Sequence, residues 1–265
     1  MVDNKKIGLA LGSGGARGLA HIGVIKVLEQ NNIPIDFIAG TSMGAIIGGV
    51  YASHKNIKLI EDSFLATDWK RYIKLTSDLS IFSGGLVAGE KIKNFIQSEL
   101  ECAKEFSDLK IPFAAVATNM ENGEPVTFRT GSLADAIRAS LSFPGVLSPA
   151  EINGQFFIDG GAVNPVPVEA VKKMGADIII AVNLEERGGS YLHPDKGSKK
   201  LSNNLYSAVR IMQRKLANYC CVGASIVISP AVDKYNWIQF MEAKDIISAG
   251  EKSTVQALEK IKSLL

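Results

Sequence analysis

The chain has 265 residues, with 29 lysines and arginines against 27 aspartates and glutamates, which gives a formal net charge of +2. This near balance argues against nucleic-acid binding, and no apolar run reaches the roughly 18 residues that a transmembrane helix needs. The N-terminus shows no signal-peptide pattern, and the three cysteines have no histidine neighbours. These features predict a cytoplasmic protein with free thiols, without a metal site and without a cofactor.

Apolar runs alternate with helical patterns along the chain. Strand 6–11 precedes a helix over 17–31, and strand 35–39 precedes a helix over 44–53. Further helices are predicted at 56–66, 89–101, 132–140, 167–174, 202–222 and 241–263, and further strands at 111–118, 125–129, 156–158, 177–183 and 224–229. The alternation predicts one domain over 1–265, with a three-layer α/β/α fold and a mostly parallel central sheet.

Two segments interrupt this alternation, and both are predicted to be mobile. Residues 68–88 mix aromatic residues such as Trp69 and Tyr72 with lysines. Such a composition suits a flap at a lipid surface, and it equally suits an ordinary excursion packed on the core. Residues 186–201 are rich in glycine and lysine without periodicity, which predicts a flexible loop.

A glycine-rich loop follows the first strand, and its sequence over 12–18 is Gly-Ser-Gly-Gly-Ala-Arg-Gly. Glycines at the start of a helix expose backbone N–H groups that bind an anion, either a pyrophosphate or a reaction oxyanion. A dinucleotide site would need glycine where Arg17 stands. It would also need an acidic residue at the end of the second strand, whereas Asp36 lies at its start. The nucleotide interpretation is therefore the weaker one.

A second glycine turn, Gly40-Thr41-Ser42-Met43-Gly44, lies between the second strand and the second helix. The G-x-S-x-G pattern in this context is typical of a nucleophile elbow, in which Gly40 and Gly44 relieve crowding around the serine. The alternative is a small serine in an ordinary tight turn. A third turn, Asp159-Gly160-Gly161, places a carboxylate at the end of a later strand.

Together, the three motifs resemble those of the bacterial patatin-like phospholipases, over roughly residues 6–185. The segments 17–24 and 139–145 support the resemblance. It implies a catalytic dyad of Ser42 and Asp159 on a patatin-like fold. It further implies the following supporting residues: Gly14, Gly15 and Ala16 as backbone donors of the oxyanion hole, Gly12, Arg17 and Gly18 as supports of the loop, Gly40 and Gly44 in the elbow, and Gly160 and Gly161 in the acid turn.

The histidines also favour a dyad over a triad. The chain has three, at positions 21, 54 and 193. A triad in the order of the α/β-hydrolases needs a histidine after the acid, so only His193 qualifies. Its glycine-rich surroundings are poorly suited to holding a base, and His21 is better explained as a packed helix residue.

The sequence thus predicts a serine acyl hydrolase that acts on the fatty-acyl esters of phospholipids or lysophospholipids. Its expected partners are a lipid or ester substrate and, through weak peripheral contact, the inner membrane surface. One alternative is an acyltransferase or thioesterase that uses the same dyad. The other is a regulatory or binding protein with vestigial esterase activity. The motifs assign no oligomeric state.

Overall fold

The computed structural model describes residues 5–69, 86–185 and 201–265. Within these ranges eight strands form one sheet. They are β1 Ile7–Leu11, β2 Phe37–Thr41, β3 Phe113–Asn119, β4 Pro125–Phe128, β5 Ala150–Ile152, β6 Gln155–Asp159, β7 Ile178–Val182 and β8 Ile226–Ile228. The order across the sheet is β5-β6-β3-β2-β1-β7-β8, and β4 also pairs with β3.

Helices cover both faces of this sheet. In the described ranges they are α1 Ala20–Gln30, α2 Met43–His54, α3 Ile57–Ala66, α4 Leu86–Asn94, α5 Leu133–Ser140, α6 Val168–Lys173, α7 Leu201–Cys220 and α8 Ala243–Lys262. Alternate side chains of a strand point to opposite faces, so Leu9 joins the apolar cluster with α1 and α2 while Ala10 joins the cluster with α6. None of the described helices is both long and apolar enough to cross a bilayer.

The predicted three-layer fold is confirmed, and its sheet is mixed. The pairs β1–β2, β1–β7, β2–β3 and β7–β8 are parallel, whereas β4 and β6 run antiparallel to β3, and β5 runs antiparallel to β6. The last residue of β2, Thr41, pairs with Val116 of β3, and the last residue of β6, Asp159, pairs with the adjacent Ala117. The ends of β2 and β6 therefore lie at the same level, on opposite sides of β3.

Most element boundaries differ from the predictions by one to three residues. Strand β5 was not predicted, because three residues carry too little pattern to be recognised. The helix predicted over 17–31 begins instead with a 3-10 turn, Gly15–Leu19, and the helix predicted over 89–101 ends in a π turn, Phe95–Glu99. Residues 70–85 and 186–200 of the two segments predicted to be mobile lie outside the described residues. The single-domain organisation stays a prediction.

Trp69 does not belong to an exposed flap. Its side chain is only 8% exposed and stacks on Phe64 and Phe240, with ring centroids 5.5 and 4.5 Å away. The indole N–H also donates a hydrogen bond to the Phe64 carbonyl. Of the two alternatives for this segment, Trp69 therefore fits the excursion packed on the core, because Phe240, a residue distant in sequence, covers it.

The last helix packs closely on the first through a reciprocal pair of glycines. A Cβ atom at Gly23 of α1 would lie 2.0 Å from the Ile247 carbonyl oxygen of α8. A Cβ atom at Gly250 of α8 would lie 2.0 Å from the Ala20 carbonyl oxygen of α1. Only glycine permits this approach, so α8 is seated directly against the helix that follows the glycine loop.

Candidate active site

The serine elbow is held in a strained and well-fixed conformation. Ser42 lies between β2 and α2 with φ 56° and ψ −121°. Residues other than glycine rarely adopt this left-handed backbone conformation. Its N–H donates to the Ser140 hydroxyl at 2.8 Å, which in turn donates to the Val116 carbonyl at 2.6 Å. A Cβ atom at Gly44 would lie 2.2 Å from the Leu11 carbonyl oxygen. Glycine at this position thus lets α2 begin against the end of β1.

Asp159 ends β6, and its carboxylate lies close enough to the Ser42 hydroxyl for that group to lower its pKa. The side chain is 3% exposed and also accepts the Gly161 N–H at 2.7 Å, while the Asp159 backbone N–H donates to the Ser142 carbonyl at 3.0 Å. Burial raises the pKa of Asp159 to about 6, although the nearby Ser42 hydroxyl and the Gly161 N–H lower it. The carboxylate is therefore more basic than an ordinary aspartate and is still mostly ionised at pH 7.

The glycine loop touches both the elbow and the acid turn. A Cβ atom at Gly18 would lie 2.5 Å from Cβ of Met43, which follows Ser42. A Cβ atom at Gly161 would lie 3.1 Å from the Ser13 hydroxyl and 3.0 Å from Oδ1 of Asp159. The fold therefore brings the three sequence motifs together at one place, while the catalytic roles of their residues stay predictions.

Backbone hydrogen bonds divide the loop into anchored and available N–H groups. Gly12 donates to the Val182 carbonyl and Ser13 to the Pro165 carbonyl. Ala16, predicted as an oxyanion donor, already donates its N–H to the Trp237 carbonyl at 2.8 Å. This contact removes Ala16 from the candidate donors. The N–H groups of Gly14 and Gly15 bond to no residue of the described ranges and remain candidates.

Arg17 supports the glycine loop and is held by Glu185, a partner that the sequence did not predict. The guanidinium is 3% exposed, forms an ion pair with Glu185 and donates from Nε to the Gly14 carbonyl at 3.3 Å. Glu185 also accepts from Arg210 of α7 at 3.1 Å. Burial alone would raise the pKa of Glu185, but the two arginines hold it below its usual value. A signal was present in the sequence, since Glu185 lies just beyond the carboxyl end of a buried strand.

The Glu185→Gln variant is expected to lose about 3 kcal/mol of unfolding free energy, because it leaves a buried arginine without its charge partner. Chemical denaturation would measure the loss. Glu169→Gln is the matched control, since Glu169 faces Lys173 at 3.9 Å on the exposed surface of α6. That pair is expected to contribute less than about 0.5 kcal/mol. Equal losses in the two variants would contradict a structural role for the buried pair.

Neither described histidine is hydrogen-bonded to Ser42 or Asp159. The Nε2–H group of His21 donates to the Gly12 carbonyl at 2.7 Å, and burial lowers its pKa to about 4, so the ring is neutral. His54 donates to the Leu100 carbonyl at 2.9 Å. His193 lies outside the described residues. Across the described ranges, no cluster of histidine, cysteine or carboxylate side chains could hold a metal ion.

A family model described as patatin-like phospholipase matches residues 9–172 of the chain. An uncharacterised NTE family protein of Mycobacterium bovis is 41% identical over 182 residues, covering 69% of this chain and 50% of its own length. A lysophospholipase NTE1 of Debaryomyces hansenii is 36% identical over 191 residues, covering 69% of this chain and 12% of its own. The chain thus spans half or less of these curated relatives.

Two solved structures share the fold. VipD from Legionella pneumophila superposes with a TM-score of 0.54 at 13% identity, covering 97% of this chain and 67% of VipD. The type III effector protein ExoU superposes with a TM-score of 0.52 at 14% identity, covering 97% of this chain and 53% of ExoU. At these identities the superpositions establish the common fold alone.

Proposed function

Because this chain belongs to the patatin-like phospholipase family, we propose that it is a serine acyl hydrolase that cleaves fatty-acyl esters of lysophospholipids or phospholipids. The observation that carries the proposal is the approach of the buried Asp159 carboxylate to the Ser42 hydroxyl, which is close enough to lower the pKa of the acid. A serine hydroxyl is a weak nucleophile until a neighbouring base accepts its proton. The raised pKa of Asp159 suits it to this role near neutral pH.

The reaction follows from the two side chains. Asp159 accepts the Ser42 proton while Oγ attacks the ester carbonyl carbon, which gives a tetrahedral intermediate with a negative oxygen. The intermediate collapses, the bond to the alcohol oxygen breaks, and protonated Asp159 returns the proton to the leaving alcohol. Water then loses a proton to Asp159 and attacks the acyl-serine. Collapse of the second intermediate releases the fatty acid, and Ser42 regains the proton.

The negative oxygen of each intermediate requires hydrogen-bond donors that are already in place. The N–H groups of Gly14 and Gly15 are the candidates, helped by the positive end of the helical segment that follows them. Removing one such donor typically slows an acyl-transfer reaction by about a hundredfold or more. The Trp237 carbonyl and the Arg17 side chain fix the backbone on either side of these donors.

Gly15→Ala is expected to lower ester hydrolysis by about a hundredfold, because displacement of the loop would misplace a donor. Gly15 has φ 56°, and a Cβ atom there would lie 2.6 Å from the Trp237 carbonyl oxygen. Gly131→Ala is the matched control, since Gly131 has φ 81° with nothing within 4 Å of a new Cβ atom. In both variants, placing alanine at a positive φ lowers the free energy of unfolding by about 1 kcal/mol. Activity measured beside melting temperature separates the two effects, and equal activities would contradict the assignment.

A fatty-acid release assay tests the proposed activity directly. Lysophosphatidylcholine, diacyl phosphatidylcholine and p-nitrophenyl butyrate would each be incubated with the wild-type chain and with Ser42→Ala. Release of fatty acid from a phospholipid by the wild type alone supports a lipid acyl hydrolase. Release from p-nitrophenyl butyrate alone would restrict the activity to small esters. No release from any of the three would overturn the proposal.

We also propose weak peripheral contact with anionic lipid surfaces, because the sequence after Trp69 begins with Lys70 and Arg71. Binding to vesicles that contain anionic lipid is expected to exceed binding to neutral vesicles and to fall with added salt. Co-sedimentation of Lys70→Ala/Arg71→Ala should decrease. The control Lys172→Ala/Lys173→Ala, which removes two exposed lysines of α6, should sediment like the wild type. Binding that ignores lipid charge would refute the contact.

A further inference from the structure

Two aromatic rings from distant parts of the chain meet beside the candidate site. Phe143 follows α5, and Trp237 precedes α8. Their ring centroids are 6.3 Å apart and their planes differ by 25°. Both side chains are only partly buried, unlike the aromatic residues of the core. The separation is near the outer limit for contacting rings, so the pair gains little from its own packing.

Trp237 is fixed to the glycine loop through its backbone. Its carbonyl accepts the Ala16 N–H at 2.8 Å, and its Cα would lie 3.2 Å from a Cβ atom on Gly15. Trp237 therefore lies directly beside one of the two candidate oxyanion donors. It also lies beyond the residues 9–172 that match the family model, so this contact comes from outside the matched region.

Phe143 is fixed in the same way to the strand that carries the acid. The preceding residue, Ser142, accepts the Asp159 backbone N–H at 3.0 Å, and the Phe143 carbonyl accepts the Val146 N–H at 3.0 Å. The segments that carry the two rings therefore hold the glycine loop and the acid turn in place.

We infer that Phe143 and Trp237 form the contact surface for the acyl chain of the substrate and set its preferred length. The inference rests on the proposed function. Covering methylene groups with aromatic faces of this kind is favourable, because both surfaces are apolar. The phosphate of the lipid head group instead requires cationic donors. The acyl chain, rather than the head group, is therefore the part of the ester that matches these rings.

Chain-length selectivity tests the inference. The ratio of kcat/KM for p-nitrophenyl dodecanoate to that for p-nitrophenyl butyrate is expected to fall roughly tenfold in Trp237→Ala and in Phe143→Ala, the usual effect of losing one apolar contact. Trp237→Phe should recover most of the ratio. Tyr219→Ala removes an aromatic ring that is 77% exposed on α7 and should leave the ratio unchanged. Equal loss on both esters, or no change, would overturn the assignment.

A binding measurement separates failure of this inference from failure of the proposed function. Calorimetric titration of dodecanoate into Ser42→Ala requires no turnover. Adding Trp237→Ala or Phe143→Ala to that variant should weaken binding about tenfold, whereas adding Tyr219→Ala should not. If the wild type hydrolyses no ester, these titrations still decide whether the rings hold an acyl chain. Unchanged dodecanoate affinity in both ring variants would refute the site. Circular dichroism of each variant confirms that it is folded.

Discussion

The Ser42→Ala variant should hydrolyse esters at least about a thousandfold more slowly than the wild type, because the proposed mechanism forms the acyl intermediate on this hydroxyl. The expected effect is this large because the left-handed elbow and the nearby Asp159 carboxylate both favour attack by this hydroxyl. Treatment of the wild type with a fluorophosphonate should add one adduct, and peptide mapping should place it on Ser42.

Ser63→Ala is the matched control for this experiment. Ser63 lies on α3, where its hydroxyl bonds only within the helix, to the Leu59 carbonyl. It should keep wild-type turnover and wild-type labelling. An adduct on any residue other than Ser42, or undiminished turnover in Ser42→Ala, would disprove the assignment of the nucleophile.

The Asp159→Asn variant should lose at least about a hundredfold in turnover, since the amide keeps the shape of the carboxylate but cannot accept a proton. Asp62→Asn, which changes an exposed carboxylate paired with Lys58 on α3, is the control. Full activity in Asp159→Asn would refute the dyad. A comparable loss in His21→Ala, with the fold intact, would point to a histidine in the proton transfer.

The pH profile offers an independent test of the same residue. Because the base must be deprotonated and burial raises the pKa of Asp159 to about 6, wild-type kcat/KM should rise through about pH 6 and level off above it. Well below that pH the rate should fall about tenfold per unit. The residual activity of Asp159→Asn should lack this inflection. A profile centred near the ordinary aspartate value would contradict Asp159 as the base.

Thermal stability distinguishes a catalytic role for Asp159 from a structural one. The pKa of Asp159 in the folded state lies above its value of 3.8 in the unfolded state, so the folded state binds the proton more tightly. By linkage this group favours folding most fully below pH 4, and its contribution is lost as the pH rises through about 6. At pH 7, replacing the carboxylate with an amide should therefore not lower the melting temperature. A marked decrease would indicate that Asp159 mainly holds the fold together.

The sequence was sufficient for those parts of the site that depend on local geometry. A glycine loop after a strand, a serine in a tight turn and an aspartate before two glycines each require a particular run of neighbours, so Gly14, Ser42 and Asp159 could all be singled out. The parallel strands β1 and β2 bring the first two turns to one edge of the sheet, whereas Asp159 reaches them at the end of the antiparallel strand β6. The alternating apolar runs also depend on neighbouring residues, and for that reason they predicted the layered fold.

The residues that were missed depend on contacts between distant segments. Glu185 could be matched to Arg17 only after β7 was placed next to β1. Ser140 could be matched to the Ser42 N–H only once α5 lay over β3. Trp237 changes the role of Ala16 through a backbone carbonyl, and any residue type at position 237 would offer the same acceptor. No sequence pattern encodes such a bond.

The arrangement of the central strands also bears on how this protein can be divided. The segment 9–172, which carries the family resemblance, stops before β7, yet β7 pairs with β1 along its whole length in the middle of the sheet. A fragment cut at that limit would leave β1 with a row of unpaired backbone groups and an apolar face that other chains can join. The same cut would remove α8 and the glycine contact that seats it on α1. The stretch by which the family is recognised is therefore a poor unit for expression, and a sound fragment must extend through α8.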